Sequence, residues 1–133
     1  SGLHVLVPLG RQCSYEEART LGELLARVVV AELPDIATIT RQVSRRGTKV
    51  YVDYLQNGVG RLLAAPFCVR PLPRAPVSTP LKWSEVNASL DIGRFTIRTV
   101  PQRMRKLKAD PLVDILRLTP DLDRALDLLR ERL

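Results

Sequence analysis

Half of the ten prolines fall between Pro66 and Pro80, and this clustering limits the fold more than any other feature. A proline lacks the amide that a helix interior or a central strand requires. The Pro66–Pro80 stretch is therefore expected to be a long, extended and irregular segment. Ordered elements must lie on either side of it. Before it, Ser14-Tyr15-Glu16-Glu17 has the form of a capping box, and Ala18, Leu21, Leu24, Leu25, Val28 and Val29 follow at helical spacing until Pro34. After it come a helical turn over Trp83 to Asn87, a strand from Arg94 to Val100 and a short basic helix from Pro101 to Leu107. A last helix is expected to be capped by Thr119 with Pro120 in its first position, and to bury Leu122, Ala125, Leu126, Leu129 and Leu133.

Strands are expected at Leu3 to Pro8 and Val50 to Leu55, with a second apolar run at Leu62 to Val69 beyond the Asn57-Gly58 turn. Short strands separated by single helices indicate an α/β or α+β fold, with a mixed, partly antiparallel sheet and flanking helices. The chain has 133 residues, 45% of them hydrophobic, which suits one globular domain. No apolar run reaches the length of a membrane span and no signal sequence is visible, so a cytoplasmic protein without membrane contact is expected. Cys13 and Cys68 fit a reducing compartment, and with the single His4 they lack zinc-ligand spacing. An apolar strand opening at residue 3 suggests that the chain begins inside a larger domain.

Charge is distributed unevenly. Residues 36–109 hold 14 Lys and Arg against 3 Asp and Glu, whereas the flanking segments are mildly acidic. Such a basic middle points to a polyanion, either nucleic acid or nucleotide phosphate. Asp53 is the exception within it. On an alternating strand Asp53 would share a face with Tyr51 and Leu55, where an ionised carboxylate is costly unless a cation, a metal or several donors meet it. An exposed Asp53, or one paired with a neighbouring Arg, is the plain alternative. His4 interrupts the Leu3, Val5, Val7 rhythm in the same way, and a hydrogen-bonded core histidine is its plain reading. Arg45, Arg46 and Lys49 precede Asp53, and Gln56, Asn57, Arg61 and Arg70 follow it. One carboxylate among many cations suits a divalent metal bridging protein and polyphosphate.

Four blocks carry a resemblance: Tyr51-Val52-Asp53-Tyr54-Leu55-Gln56-Asn57, Leu63 to Arg70, Ala75 to Trp83, and Phe95 to Pro101. In this order they resemble the primase-polymerase domain of bacterial DNA ligase D, a member of the archaeo-eukaryotic primase superfamily. The likeness runs from Gly2-Leu3-His4-Val5 to about Asp110-Pro111-Leu112. It implies that Asp53 matches the third metal-site carboxylate and that His4 matches the second-motif histidine that meets the triphosphate of the incoming nucleotide. Arg46, Gln56 and Arg70 match positions lining the nucleotide site.

The resemblance further implies template-directed nucleotide addition with two divalent metals, manganese or magnesium, held roughly 3.5–4 Å apart. DNA ends and a nucleoside triphosphate would be the ligands, Ku and a ligase domain the partners, and the setting a bacterial cytoplasm beside the nucleoid. The first-motif aspartate pair and the second-motif serine are absent, Ser1 stands at a usually basic position, and Arg61-Leu62 replaces a common Lys-Thr. Residues 1–133 are therefore expected to be the C-terminal part of such a domain, a fragment of a nucleotidyltransferase in non-homologous end joining that is inactive alone. The alternatives are a non-catalytic nucleic-acid-binding module, or a degenerate stand-alone remnant that self-associates through an exposed sheet edge.

Overall fold

The computed structural model describes residues 2–133; Ser1, and with it the expectation of a displaced basic residue, lies outside the described residues. The chain forms two compact units. One, named for helices α1 (Tyr15–Glu32) and α3 (Leu122–Arg130) as the α1–α3 unit, comprises Pro8–Leu62 and Thr119–Leu133; the other, named for helix α2 (Val100–Leu107) as the α2 unit, comprises the residues up to Val7 together with Leu63–Leu118. The architecture is mixed α/β.

In the α1–α3 unit, helix α1 covers Tyr15–Glu32. The Glu17 amide donates to the Ser14 hydroxyl, and the Ser14 amide donates back to the Glu17 carboxylate at 2.7 Å, so the expected capping box forms. After Leu33 the chain turns and enters β1, Ala37–Thr38, which pairs in parallel with β2, Val50–Tyr51. The Val50 amide donates to Ile36 and the Val52 amide to Thr38, both at 2.8 Å. Helix α3, Leu122–Arg130, packs against α1 and presents Leu122, Ala125, Leu126 and Leu129 half-buried, while Leu133 is exposed. Its cap is Asp121 rather than Thr119, because the Asp121 carboxylate accepts the Arg124 amide at 3.0 Å. Gln12 ties the lead-in segment to this end by donating to the Pro120 carbonyl at 2.8 Å.

In the α2 unit the Pro66–Pro80 segment is irregular, as its composition requires. Antiparallel pairing occurs there only as the isolated bridges Val69↔Val77 and Pro76↔Thr96, so the one ladder among the described residues, β1–β2, is purely parallel. The mixed α/β class holds, while the expected antiparallel part of the sheet is met only by these isolated bridges and not by a ladder. Trp83–Glu85 forms a single 3-10 turn. Helix α2, Val100–Leu107, is the short basic helix read from the sequence. The expected strand at Arg94 to Val100 is absent because the Thr99 hydroxyl accepts the Thr96 amide at 2.9 Å and closes a turn ahead of the helix. Leu3 to Pro8 likewise forms no strand.

Few side chains are fully buried. Among the described residues the buried hydrophobic ones are Ala26, Val28, Ala37 and Val100, whereas Leu62 is 93% exposed, Leu116 85% and Trp83 77%. In the α2 unit Phe67, Val69, Val77, Ile97, Val100, Pro101 and Met104 line an open apolar groove. Among the described residues no helix is long and apolar enough to cross a membrane.

Candidate functional site

The parallel pair β1–β2 delivers the segment that the sequence singled out. Tyr51 ends β2, and the chain leaves the extended path two residues later. The cause is Asp53 itself: its Oδ1 accepts the Leu55 amide at 3.0 Å, and its Oδ2 accepts the Gln56 side-chain amide at 3.4 Å. A short carboxylate that captures the amide two residues on starts a turn instead of continuing a strand. Asp53 is therefore exposed at the head of a turn rather than on a half-buried strand face. The desolvation cost that would have required a nearby cation is absent there. Gln56 is held beside it by the same turn. Asn57 closes the turn, its side-chain amide donating to the Tyr54 carbonyl at 3.0 Å. Gly22 of α1 lets this turn pack close, since a Cβ at that position would lie 2.8 Å from the Asn57 Nδ2.

The 39–49 connection between the two strands carries the basic side chains. Its middle is a 3-10 turn, Val43–Arg45, followed by Gly47 with φ 57°. Arg46 is half-buried, donating from Nε to the Thr40 carbonyl at 2.8 Å and from Nη2 to the Arg41 carbonyl at 2.6 Å. Its guanidinium carbon lies 3.8 Å from the centre of the Tyr51 ring, a cation–π distance. The Tyr51 phenol is pushed up from its ordinary range, chiefly by burial and secondly by Asp53, while Arg46 and Arg41 oppose the shift. One carboxylate and two guanidiniums thus act electrostatically on a single phenol.

Of the five residues expected at a site, Arg46, Asp53 and Gln56 belong to the α1–α3 unit, and His4 and Arg70 to the α2 unit. His4 and Arg70 are both exposed. The Arg70 amide donates to the Pro76 carbonyl at 2.8 Å, which fixes the backbone from which its side chain projects. The sequence reading did not assign roles to Arg41 and Tyr51. The signal was present as three arginines at 41, 45 and 46 just ahead of an aromatic residue. Among the described residues no three of His, Cys, Asp or Glu gather as a ligand set. Asp53 supplies one carboxylate, and magnesium is commonly held by one or two carboxylates together with substrate phosphates and waters.

The α2 unit holds ten Lys and Arg against four Asp and Glu, and the α1–α3 unit eleven against ten. Nearly all of the net charge of +7 therefore belongs to the α2 unit.

A mixed α/β chain with an exposed acid at a turn and a basic strand connection fits the blocks on which the resemblance rests. The family model described as LigD, primase-polymerase domain, matches residues 1–112. The chain belongs to the LigD primase-polymerase domain family. It is 34% identical over 121 residues to the bifunctional non-homologous end joining protein LigD of Bacillus subtilis strain 168, covering 90% of this chain and 20% of that protein. It is 28% identical over 109 residues to the multifunctional non-homologous end joining protein LigD of Pseudomonas aeruginosa, covering 82% of this chain and 13% of that protein. The protein of the same description from Mycolicibacterium smegmatis is 32% identical over 85 residues, covering 64% of this chain and 11% of that protein. The chain thus spans about a fifth or less of the length of these relatives.

Proposed function

We propose that residues 1–133 are the C-terminal part of a LigD-type primase-polymerase domain that acts on DNA ends in non-homologous end joining. The observation that carries this reading is the family match over residues 1–112, within which Asp53, Gln56 and the basic 39–49 connection occupy one compact unit. The reaction is template-directed nucleotidyl transfer by the complete domain. Asp53 would contribute one carboxylate toward a divalent metal, manganese or magnesium, which would stabilise the attacking and leaving oxygens of the transfer. No catalytic step is assigned to the chain by itself. By the resemblance, His4, Gln56 and Arg70 would meet the incoming nucleotide and Arg46 would line its site, with DNA ends, Ku and the ligase domain as partners.

Primer extension on gapped DNA with manganese tests the reading. The chain alone should give no product. Completed by the corresponding upstream segment of the Bacillus subtilis relative, it should extend the primer, and Asp53→Ala should abolish extension. A completed domain that binds DNA but extends nothing would sink the catalytic reading. The charge excess of the α2 unit favours a second reading, a nucleic-acid-binding module without catalysis. Steeply salt-dependent DNA binding, unchanged by Asp53→Ala and unaccompanied by extension in the completed domain, would select it. Light scattering over a concentration series tests self-association, and a strict monomer would remove it.

A further inference from the structure

The 41–49 segment carries four basic side chains, and the structure divides them into two kinds. Arg46 and Lys49 are committed to the chain itself. Arg46 donates from Nε and Nη2 to the carbonyls of Thr40 and Arg41, and Lys49 Nζ donates to the Pro34 carbonyl at 2.6 Å. A guanidinium is a rigid planar fork. With one edge on two carbonyls and its face 3.8 Å from the Tyr51 ring centre, Arg46 cannot swing to a ligand without breaking these bonds. The loop is closed as well, because the Arg46 carbonyl accepts the Lys49 amide at 3.1 Å.

Arg41 and Arg45 are the other kind. Both are exposed, and among the described residues neither side chain forms a hydrogen bond or an ion pair. The Arg41 carbonyl is one of the two that Arg46 grips, and Arg45 lies in the 3-10 turn directly before it. Two uncommitted guanidiniums therefore stand on a backbone that a third guanidinium pins in place. Such planar forks match the paired oxygens of phosphate, and a pinned backbone lowers the ordering cost of binding.

We propose that Arg41 and Arg45 grip phosphate groups and that Arg46 is the positioning residue that fixes the loop presenting them. This rests on the LigD-type reading above, in which DNA ends and a nucleoside triphosphate are the ligands, and moves the phosphate grip from Arg46 to its two neighbours. The phosphates belong either to a nucleic-acid backbone or to the tail of a nucleoside triphosphate.

The test uses the full chain, a fluorescently labelled single-stranded oligonucleotide read by anisotropy over a salt series, and sodium tripolyphosphate as competitor. In the Arg41→Ala, Arg45→Ala double variant the slope of log affinity against log salt should shrink by about 1.4, at about 0.7 for each phosphate no longer neutralised, with the melting temperature unchanged. Arg46→Ala should weaken binding while shrinking the slope by less than about 0.7, and should speed hydrogen exchange of the 40–49 amides. Arg46→Lys should not restore either property, because an ammonium cannot span two carbonyls while stacking on Tyr51. Tripolyphosphate that displaces the oligonucleotide from the wild type assigns the grip to a triphosphate tail. No displacement assigns it to the backbone, and either result with the reduced slope supports the proposal. A wild-type slope in the double variant overturns it while leaving the LigD-type reading intact. A slope smaller by about 0.7 in Arg46→Ala with unchanged exchange makes Arg46 the ligand and also overturns it. A wild type that binds neither probe removes both readings.

Discussion

Arg103 of α2 holds the Glu85 carboxylate with both terminal nitrogens, Nη1 to Oε1 at 2.6 Å and Nη2 to Oε2 at 2.7 Å. Nη2 also donates to the Pro80 carbonyl at 3.1 Å, and the guanidinium sits 5.6 Å from the centre of the Phe95 ring. The pair joins α2, the Trp83–Glu85 turn and the end of the proline-rich segment, and both side chains are at most 30% exposed. Arg103→Ala removes the partner of a half-buried carboxylate and should cost about 1.5–3 kcal/mol in a urea melt. A loss within experimental error would show that this clamp does not hold the α2 unit together.

The same pair makes stability depend on acid. The Glu85 carboxyl is held below the usual carboxylate range, first by the hydrogen bonds from Arg103, with the Lys82 amide and the Arg103 charge adding to this and burial opposing it. A carboxyl with a depressed native pKa contributes stability that is fully present above its unfolded value, about 4.3. That contribution is lost as pH falls through the lower native value. Melting temperature should therefore decline on acidification below about pH 4.3, and Glu85→Gln should flatten that part of the profile. An unchanged acid limb in Glu85→Gln would place the sensitivity elsewhere.

Tyr51 reports on the arrangement around Asp53. Removing the negative charge with Asp53→Asn should ease phenolate formation and lower the Tyr51 titration point, and Arg41→Ala should raise it. The phenolate absorbance shows this once Tyr15 and Tyr54, the other two tyrosines, are replaced by Phe. Asp53→Asn keeps an oxygen to accept the Leu55 amide, so the turn should survive and only the electrostatics should change. A titration indifferent to both substitutions would separate Tyr51 from its charged neighbours.

Gly22 and the Asn57 amide compete for the same space. Gly22→Ala gains helix propensity of about 1 kcal/mol but pushes against the Asn57 side chain, whose bond to Tyr54 is of similar worth. The single substitution should leave the melting temperature nearly unchanged. Made in an Asn57→Ala background it should be stabilising, and equal effects in both backgrounds would deny the steric conflict.

Where local chemistry was unopposed, the sequence was legible. Ser14 and Glu17 made their capping box, Pro101 to Leu107 became α2, and the prolines kept 66–80 irregular. Strands were misread where short polar side chains took the backbone for themselves. Asp53 captured the Leu55 amide and cut the strand after Tyr51, and the Thr99 hydroxyl did the same at Thr96. Alternation of apolar residues carries no information about such captures. At the site, the basic loop and Asp53 were visible as a cluster. That Arg46 faces inward while Arg41 and Arg45 face water depends on which carbonyls come within reach, and residue type alone does not reveal this.

The scarcity of buried apolar side chains has a thermodynamic consequence. Heat capacity rises on unfolding because apolar surface becomes hydrated, typically by about 12–15 cal/mol/K per residue. A chain that already shows Leu62, Trp83 and Leu116 to water has less left to hydrate, so its calorimetric step should fall below that range. Its curve of free energy against temperature is then flatter, because that step sets the curvature.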